Sequence, residues 1–307
     1  MKQQIIQKRK IYLSISSVLV LLSILSLIAW GLKPGIDFTG GSLLEARFNG
    51  IETPTGQDVR TKLAELNLEG DVIVQQSGDN GLLIRMKVDD EQNHQAVLDK
   101  LKESYNVGDS QNVEELRFES IGPSIGAELQ KKAVLAVLLV LVAIVLYIAW
   151  AFRKVSWPIA SWKYGVIAII ALFHDILITL GVFSVLGHFA NIEVGLPFVA
   201  ALLTILGYSV NDTIVVFDRV RENLAKFGKS DFEKLVNDSV NSTFVRSLNT
   251  SMTTLLVLLV IFIFGGMSIK YFALALMIGI LSGTYSSIFI ASPLLVVWQK
   301  LMTRRNQ

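Results

Sequence analysis

Five polar side chains stand inside, or at the edge of, stretches that are otherwise apolar: His174 and Asp175, Asn211 and Asp212, and Arg246. The first pair falls near the middle of one run. The second lies within Tyr208-Ser209-Val210-Asn211-Asp212-Thr213 of the next, and Arg246 opens the one after. If these runs cross a membrane, an unpaired charge at the bilayer centre costs about 2.5–3.5 kcal/mol, so each must face other helices, find a partner or be neutral. A carboxyl whose protonation depends on what stands beside it is what a proton carrier needs. The alternative for Asp212 is a static ion pair with Arg246, and for Arg246 it is snorkelling to the water. For His174 and Asp175, a relay and a helix-packing polar pair are both open. Ser239, Ser242, Thr243, Arg246, Thr250 and Thr253 recur at steps of three and four, which reads as one polar stripe. Such a stripe suits a file of water, or hydroxyls that hold helices together. Asp218, Arg219, Arg221 and Glu222 suit a charged exit or a solvated boundary.

Other chemistries lack their residues. Cysteine is absent, and the three histidines, His94, His174 and His188, do not have metal-ligand spacing. No metal site and no cofactor is expected, and with no recognisable nucleophile and base pair an enzyme is not expected either. A net charge of +2 gives no reason to expect a nucleic-acid partner.

The elements that must position the polar residues follow from apolar run length. About 20 apolar residues span the hydrocarbon as a helix. Six stretches qualify, near Ile11–Leu32, Ala133–Phe152, Tyr164–Gly187, Gly195–Phe217, Ser247–Gly266 and Tyr271–Trp298. The 52% hydrophobic and 18% charged composition exclude a disordered chain and a wholly soluble enzyme, because charge is gathered into one block. Lys2, Lys8, Arg9 and Lys10 precede the first span like the start of a signal peptide, but the apolar run is too long, and an uncleaved helix is expected. Fifteen Lys and Arg residues fall on one side of the six spans: the four before the first span; Arg153, Lys154 and Lys163; Arg219, Arg221, Lys226, Lys229 and Lys234; and Lys300, Arg304 and Arg305. The opposite short loops hold only Lys270. The positive-inside rule then puts both termini in the cytoplasm and the segment between the first two spans outside. The expected division is 1–32, the amino terminus and first helix; 33–132, an external domain; 133–298, helices two to six; and 299–307, a cytoplasmic tail.

The segment 33–132 carries 18 acidic and 11 basic residues. Alternating patterns predict strands at Ser42–Phe48, Val72–Gln76, Leu82–Val88 and Val113–Ile121, with helices at Thr53–Leu68 and Gln92–Tyr105. That order, β-α-β-β-α-β, is the split-βαβ or ferredoxin-like arrangement, so the fold class is a six-helix membrane bundle with one extracytoplasmic α+β domain. Two glycine motifs bracket the domain, one carrying Gly35, Asp37, Gly40 and Gly41 and the other Gly122, Pro123 and Gly126. They allow tight backbone paths where helices meet it. The first lacks the lysine and following helix of a phosphate-binding loop. In the last span, Ala275, Gly279, Gly283, Ser287 and Ala291 recur every fourth residue, a small-residue face for close helix packing within the bundle or with a partner.

Gly35-Ile36-Asp37-Phe38-Thr39-Gly40-Gly41, Ile121-Gly122-Pro123-Ser124-Ile125-Gly126, and the run from Gly207 to Asn223 that contains Ser209-Val210-Asn211-Asp212-Thr213 and Phe217-Asp218-Arg219-Val220-Arg221-Glu222 resemble the SecF branch of the SecD/SecF family. So do Phe173-His174-Asp175 and Asn241-Ser242-Thr243-Phe244-Val245-Arg246-Ser247, and the likeness covers essentially the whole chain. This family supplies membrane subunits of bacterial and archaeal protein export, with the membrane plan of the resistance-nodulation-division transporters. The resemblance implies SecD as partner, the SecYEG channel and a YajC-type accessory subunit nearby, a translocating precursor protein, a cytoplasmic membrane and its lipid, and use of the proton-motive force. It implies that Asp212 and Arg246 belong to the proton path, opposite an aspartate of SecD. His174, Asp175, Asn211, Thr243 and Thr250 are secondary polar candidates. The competing expectation is a homo-oligomeric, proton-driven exporter of small molecules, which buried charges alone fit equally well.

Overall fold

The computed structural model describes residues 4–68, 70, 72–87, 91–108, 110–151, 161–228 and 231–305. Lys2, Arg153, Lys154 and Lys229, part of the basic set above, lie outside the described residues, as do Phe152 and Val88 at the ends of two expected elements. In chain order come α1 (Arg9–Trp30), α2 (Ile36–Thr39), β1 (Gly41–Phe48), α3 (Gly56–Ala64), β2 (Ile73–Ser77), β3 (Gly81–Met86), α4 (Glu91–Tyr105) and β4 (Val113–Ile121). Then follow α5 (Pro123–Ala151), α6 (Ser161–Ala190), α7 (Leu196–Phe227), α8 (Phe232–Phe264), α9 (Met267–Ser286), a π turn (Ser287–Ala291) and α10 (Ser292–Arg305). Two compact units result. One holds Met1–Lys33, Leu135–Gly265 and Ile269–Gln307; the other holds Pro34–Val134 with Gly266–Ser268.

Among the described residues six helices have the length and apolar composition to cross a membrane, the last running through α9, the π turn and α10. Hydrocarbon offers backbone N–H and C=O groups no partner, so an apolar run of this length closes its own hydrogen bonds as a helix. The helices overrun the apolar spans at their polar ends. α8 begins at Phe232 rather than Ser247, because Asp231 caps it by accepting from the Lys234 N–H at 3.0 Å and Phe232, Val236 and Val240 turn into the core. α7 continues to Phe227 and stops at Gly228, whose φ of +67° ends the helix with its N–H on the Leu224 carbonyl.

Small side chains set the spacing between helices. On α1, Ser23 and Ser26 face α6, where Ser26 Oγ donates to the Gly181 carbonyl at 3.2 Å and Ser184 Oγ donates to the Ser26 carbonyl at 2.9 Å. A Cβ on Gly181 would sit 2.6 Å from Ser23 Cα, so only glycine permits this approach. The small-residue face of α9 meets α7 inside the bundle: a Cβ on Gly279 would strike Ile205, and one on Gly283 would strike Ser209. The segment before α1 is fixed too. Ile5 and Ile6 are buried, and their backbone N–H groups both donate to Asn237 Oδ1, at 3.0 and 3.2 Å. Glu233 of α8 pairs with Arg9 of α1 at 2.5 Å and with Lys300 of α10.

In the second unit the sheet order is β2-β3-β1-β4, with every neighbouring pair antiparallel. Leu44, Ala46 and Phe48 of β1 point to one face, where Ile84, Met86, Val113 and the α3 and α4 residues Val59, Leu63, Val97 and Leu101 close the core. Thr55 caps α3 through a 3.2 Å bond from the Asp58 N–H. His94 is a core residue: its ring stacks 3.7 Å from that of Phe118 and Nε2 lies 3.2 Å from Glu115 Oε2. Gly40 and Gly41 adopt φ of +74° and +123°. A Cβ on Gly40 would come 2.7 Å from Pro123 Cα, and one on Gly126 would come 3.0 Å from the Gly40 nitrogen. The two glycine motifs therefore pack on each other, with Gly35 capping the short α2 that carries Asp37, and the Gly122 carbonyl taking the Gly126 N–H at 3.0 Å.

Candidate functional site

The two buried aspartates of the helical unit each centre a hydrogen-bonded cluster, and the two clusters share a helix junction. The first is centred on Asp175, which is completely buried in α6. Its Oδ1 lies 2.9 Å from His174 Nδ1. Its Oδ2 accepts from Ser209 Oγ of α7 at 2.5 Å and from Ser286 Oγ of α9 at 2.8 Å. The carboxylate thus ties three helices together. Gly283 leaves the room that Ser209 needs, so the small-residue face and the buried acid are parts of one arrangement.

The second cluster surrounds Asp212, about one turn along α7 from Ser209. Ser247 Oγ of α8 donates to Asp212 Oδ1 at 2.5 Å. Asp212 Oδ2 is buried and makes no well-aligned hydrogen bond among the described residues, although the Ser287 hydroxyl is near enough to act on the carboxyl. Next along α7, Thr213 Oγ1 and Ser287 Oγ are 2.8 Å apart. Ser286 and Ser287, consecutive at the entrance to the π turn, therefore reach one cluster each. A π turn inserts one residue into the helical ladder and often marks a functional position. Here Ser292 Oγ donates to the Ser287 carbonyl at 3.1 Å and so supports the irregular backbone. A short side branch, Ser251 to Thr284 at 2.5 Å, links α8 and α9 on the same row.

The expected stripe on α8 divides. Ser239, Thr243, Ser247 and Ser251, four residues apart, form the buried row, and Thr243 turns its hydroxyl to the Ser239 and Val240 carbonyls of its own helix. Ser242, Arg246, Thr250 and Thr253 lie on the exposed side, with Thr250 Oγ1 on the Arg246 carbonyl at 3.0 Å. Neighbours along a helix are about 100° apart, which is why Ser247, and not Arg246, touches Asp212. Arg246 is near enough for its charge to act on that carboxylate, but among the described residues no ion pair joins the two. It lines an open cleft of about 270 Å³ with Asp218, Arg219, Glu222, Ser242 and Thr243. In that cleft Arg219 pairs with Glu222 at 2.5 Å and bonds Ser242 at 3.1 Å. Asn211 of α7 is exposed. The described residues hold no group of three or more His, Cys, Asp or Glu side chains placed to bind a metal.

Six membrane-length helices among the described residues, with carboxylates and hydroxyls linked across their interior, define a polytopic membrane protein. The family model described as "Protein export membrane protein SecD/SecF, C-terminal" matches residues 100–301, and that of the "SecD/SecF GG Motif" matches residues 26–50. A protein translocase subunit SecF of Thermobaculum terrenum is 42% identical over 308 residues, covering 96% of this chain and 93% of the relative. One from Synechocystis is 39% identical over 95% of this chain and 93% of its own length. Among solved structures, SecDF of Thermus thermophilus, described as a translocon-associated membrane protein, superposes with a TM-score of 0.85 at 32% identity. It covers 98% of this chain, whereas this chain spans only 39% of that longer one. A SecDF structure in a super-membrane-facing form gives a TM-score of 0.70 at 33% identity, covering 100% of this chain and 40% of its own. The chain belongs to the SecF family of protein translocase subunits.

Proposed function

We propose that this chain pairs with SecD beside the SecYEG channel, with a YajC-type subunit as accessory, and uses the proton-motive force to draw precursor proteins across the cytoplasmic membrane. The observation that carries this reading is Asp212: a carboxylate at membrane depth with one oxygen held by Ser247 and the other buried without a well-aligned hydrogen bond among the described residues. Such a group can take up and release a proton where its neighbours change. Arg246 and Asn211, exposed at the level of the bundle, would be costly against lipid. They suit a facing helix that carries an acid, and the longer SecDF chains have room for such a partner. Protonation of Asp212, or of the partner's acid, weakens attraction to Arg246, and the helices then repack. Each proton falling through 100 mV supplies about 2.3 kcal/mol, enough to bias a two-state element.

The sheet order and antiparallel pairing described above support a ferredoxin-like domain, and the charge placement supports its lying outside the membrane with both termini inside. In this reading it is a mechanical handle for the exported chain and not a catalyst, and the four-part division 1–32, 33–132, 133–298 and 299–307 separates handle from motor. Affinity purification from membranes tests the partnership. Recovery of SecD and channel subunits is the expected result. Recovery of this chain alone as a homo-oligomer would replace the reading with that of a small-molecule exporter of the resistance-nodulation-division type.

A further inference from the structure

We infer that the His174–Asp175 pair is a second exchangeable-proton site, distinct from Asp212, and that Ser286 passes its charge state to the π turn at Ser287–Ala291. His174 is 5% exposed, its Nδ1 faces Asp175 Oδ1 at 2.9 Å, and its Nε2 is buried with no partner among the described residues. A neutral imidazole with its hydrogen on Nδ1 meets these surroundings, since Nδ1–H donates to Oδ1 and Nε2 keeps only a lone pair. A hydrogen on Nε2 would be a buried donor with nothing to receive it, the costlier omission. A proton added to the pair therefore belongs on Asp175 Oδ2, where two hydroxyl oxygens wait, Ser209 at 2.5 Å and Ser286 at 2.8 Å.

That proton reverses the direction of a bond. With Asp175 ionised, both serines donate to Oδ2, and these bonds are charge-assisted. With Oδ2 protonated, the carboxylic O–H donates to one serine. Ser286 has a second acceptor ready, the Gly283 carbonyl at 3.1 Å, to which its own hydrogen turns when its oxygen becomes the acceptor. The next residue, Ser287, is the first of the π turn and holds Thr213 beside Asp212. One net charge at Asp175 is thus read out one residue away from the Asp212 cluster, in a segment whose ladder already contains an irregular turn.

Apart from Asp212, the groups that face the pair carry no charge. On α9, Tyr285 places its ring 6.2 Å from that of His174 and hydrogen-bonds the Tyr12 carbonyl. From α7 come Ser209 and, a turn further on, Asp212. α1 presents Ser16 and Ser17 in the groove beside His174, the π turn presents Ile290 and α10 presents Leu294. The assignment does not depend on how Asp212 is used, so the test reads the carboxyl directly and not export.

Infrared difference spectra of the purified, membrane-reconstituted protein, recorded from alkaline to acidic pH, are compared between wild type and variants. The expected result is a carboxylic C=O band that appears on acidification, is lost in Asp175→Asn, is kept in Asp212→Asn, and moves in frequency in Ser286→Ala, which retains the acid but lacks one partner. Identical carboxyl bands in wild type and Asp175→Asn would overturn the assignment. If Asp175→Asn does not accumulate, Ser286→Ala alone decides: an unmoved band overturns the readout through Ser286.

Discussion

Ser247 Oγ stands 2.5 Å from Asp212 Oδ1, and the arginine that precedes it in the chain points out of the bundle. The acid at the centre of the proposed proton path is therefore held from inside by a hydroxyl and is acted on from outside by a charge. This division of labour separates two sets of variants.

Ser247→Ala removes the one hydrogen bond that reaches Asp212 Oδ1. Loss of a buried bond to a carboxylate costs roughly 1–3 kcal/mol. Ser247→Thr keeps the hydroxyl. Thermal unfolding of the detergent-purified protein should show a lower midpoint for the alanine variant and recovery of much of the loss by the threonine variant.

Gly181→Ala tests the α1–α6 contact. The added Cβ would meet Ser23 backbone at 2.6 Å and cannot be relieved by a side-chain rotation. Overpacking of this kind costs about 1–3 kcal/mol. Gly207 of α7 has nothing within 4 Å of its would-be Cβ, so Gly207→Ala is expected to be neutral or mildly stabilising. Comparing the two variants by membrane abundance and unfolding midpoint checks this.

Asn237→Ala should release the segment before α1. It leaves the buried N–H groups of Ile5 and Ile6 without their shared acceptor, while Arg9 keeps its pairing with Glu233. Limited trypsin digestion should then cut at Lys8 in the variant much faster than in wild type.

Tyr105 of the sheet-containing unit makes stability depend on alkaline pH. Burial first, then the 2.6 Å bond to Asp58 and that carboxylate's charge, hold its phenol well above the ordinary tyrosine range. The folded form keeps a proton that the unfolded chain gives up near pH 10. The contribution is thus complete below about pH 10 and is lost as pH rises toward the folded value. Unfolding midpoints measured upward from that pH should fall more steeply for wild type than for Tyr105→Phe.

Much of this arrangement is legible in the sequence, and what is not has physical reasons. Apolar run length gives the six helices, and period-two alternation gives β1 and β4 almost to the residue. The helix ends are not visible in this way: Phe232, Val236 and Val240 bury one face of a segment too polar to register as a membrane span. The clusters were only half visible. Asp175 and Asp212 stand out because charge is rare in such runs, whereas Ser247, Ser286 and Ser287 are ordinary small residues whose importance comes from the direction in which the helix turns them. Three-or-four-residue spacing placed Arg246 and Thr243 on one stripe. The packing of α8 buries Thr243 and leaves Arg246 exposed, although both reach one cleft, because the buried row follows steps of four from Ser239. Spacing alone leaves the small-residue face of α9 open to an internal or an external use. Ile205 and Ser209 show that its Gly279 and Gly283 are filled from within.

The central claim is that Asp212 couples proton flow to export. Its most direct test is the export of a precursor into membrane vesicles that contain the complex with Asp212→Asn, with the proton-motive force present or collapsed. The variant should accumulate and co-purify with SecD as wild type does, and ATP-driven export should remain, while the stimulation by the proton-motive force disappears. Full stimulation in that variant, at normal abundance, would contradict the account.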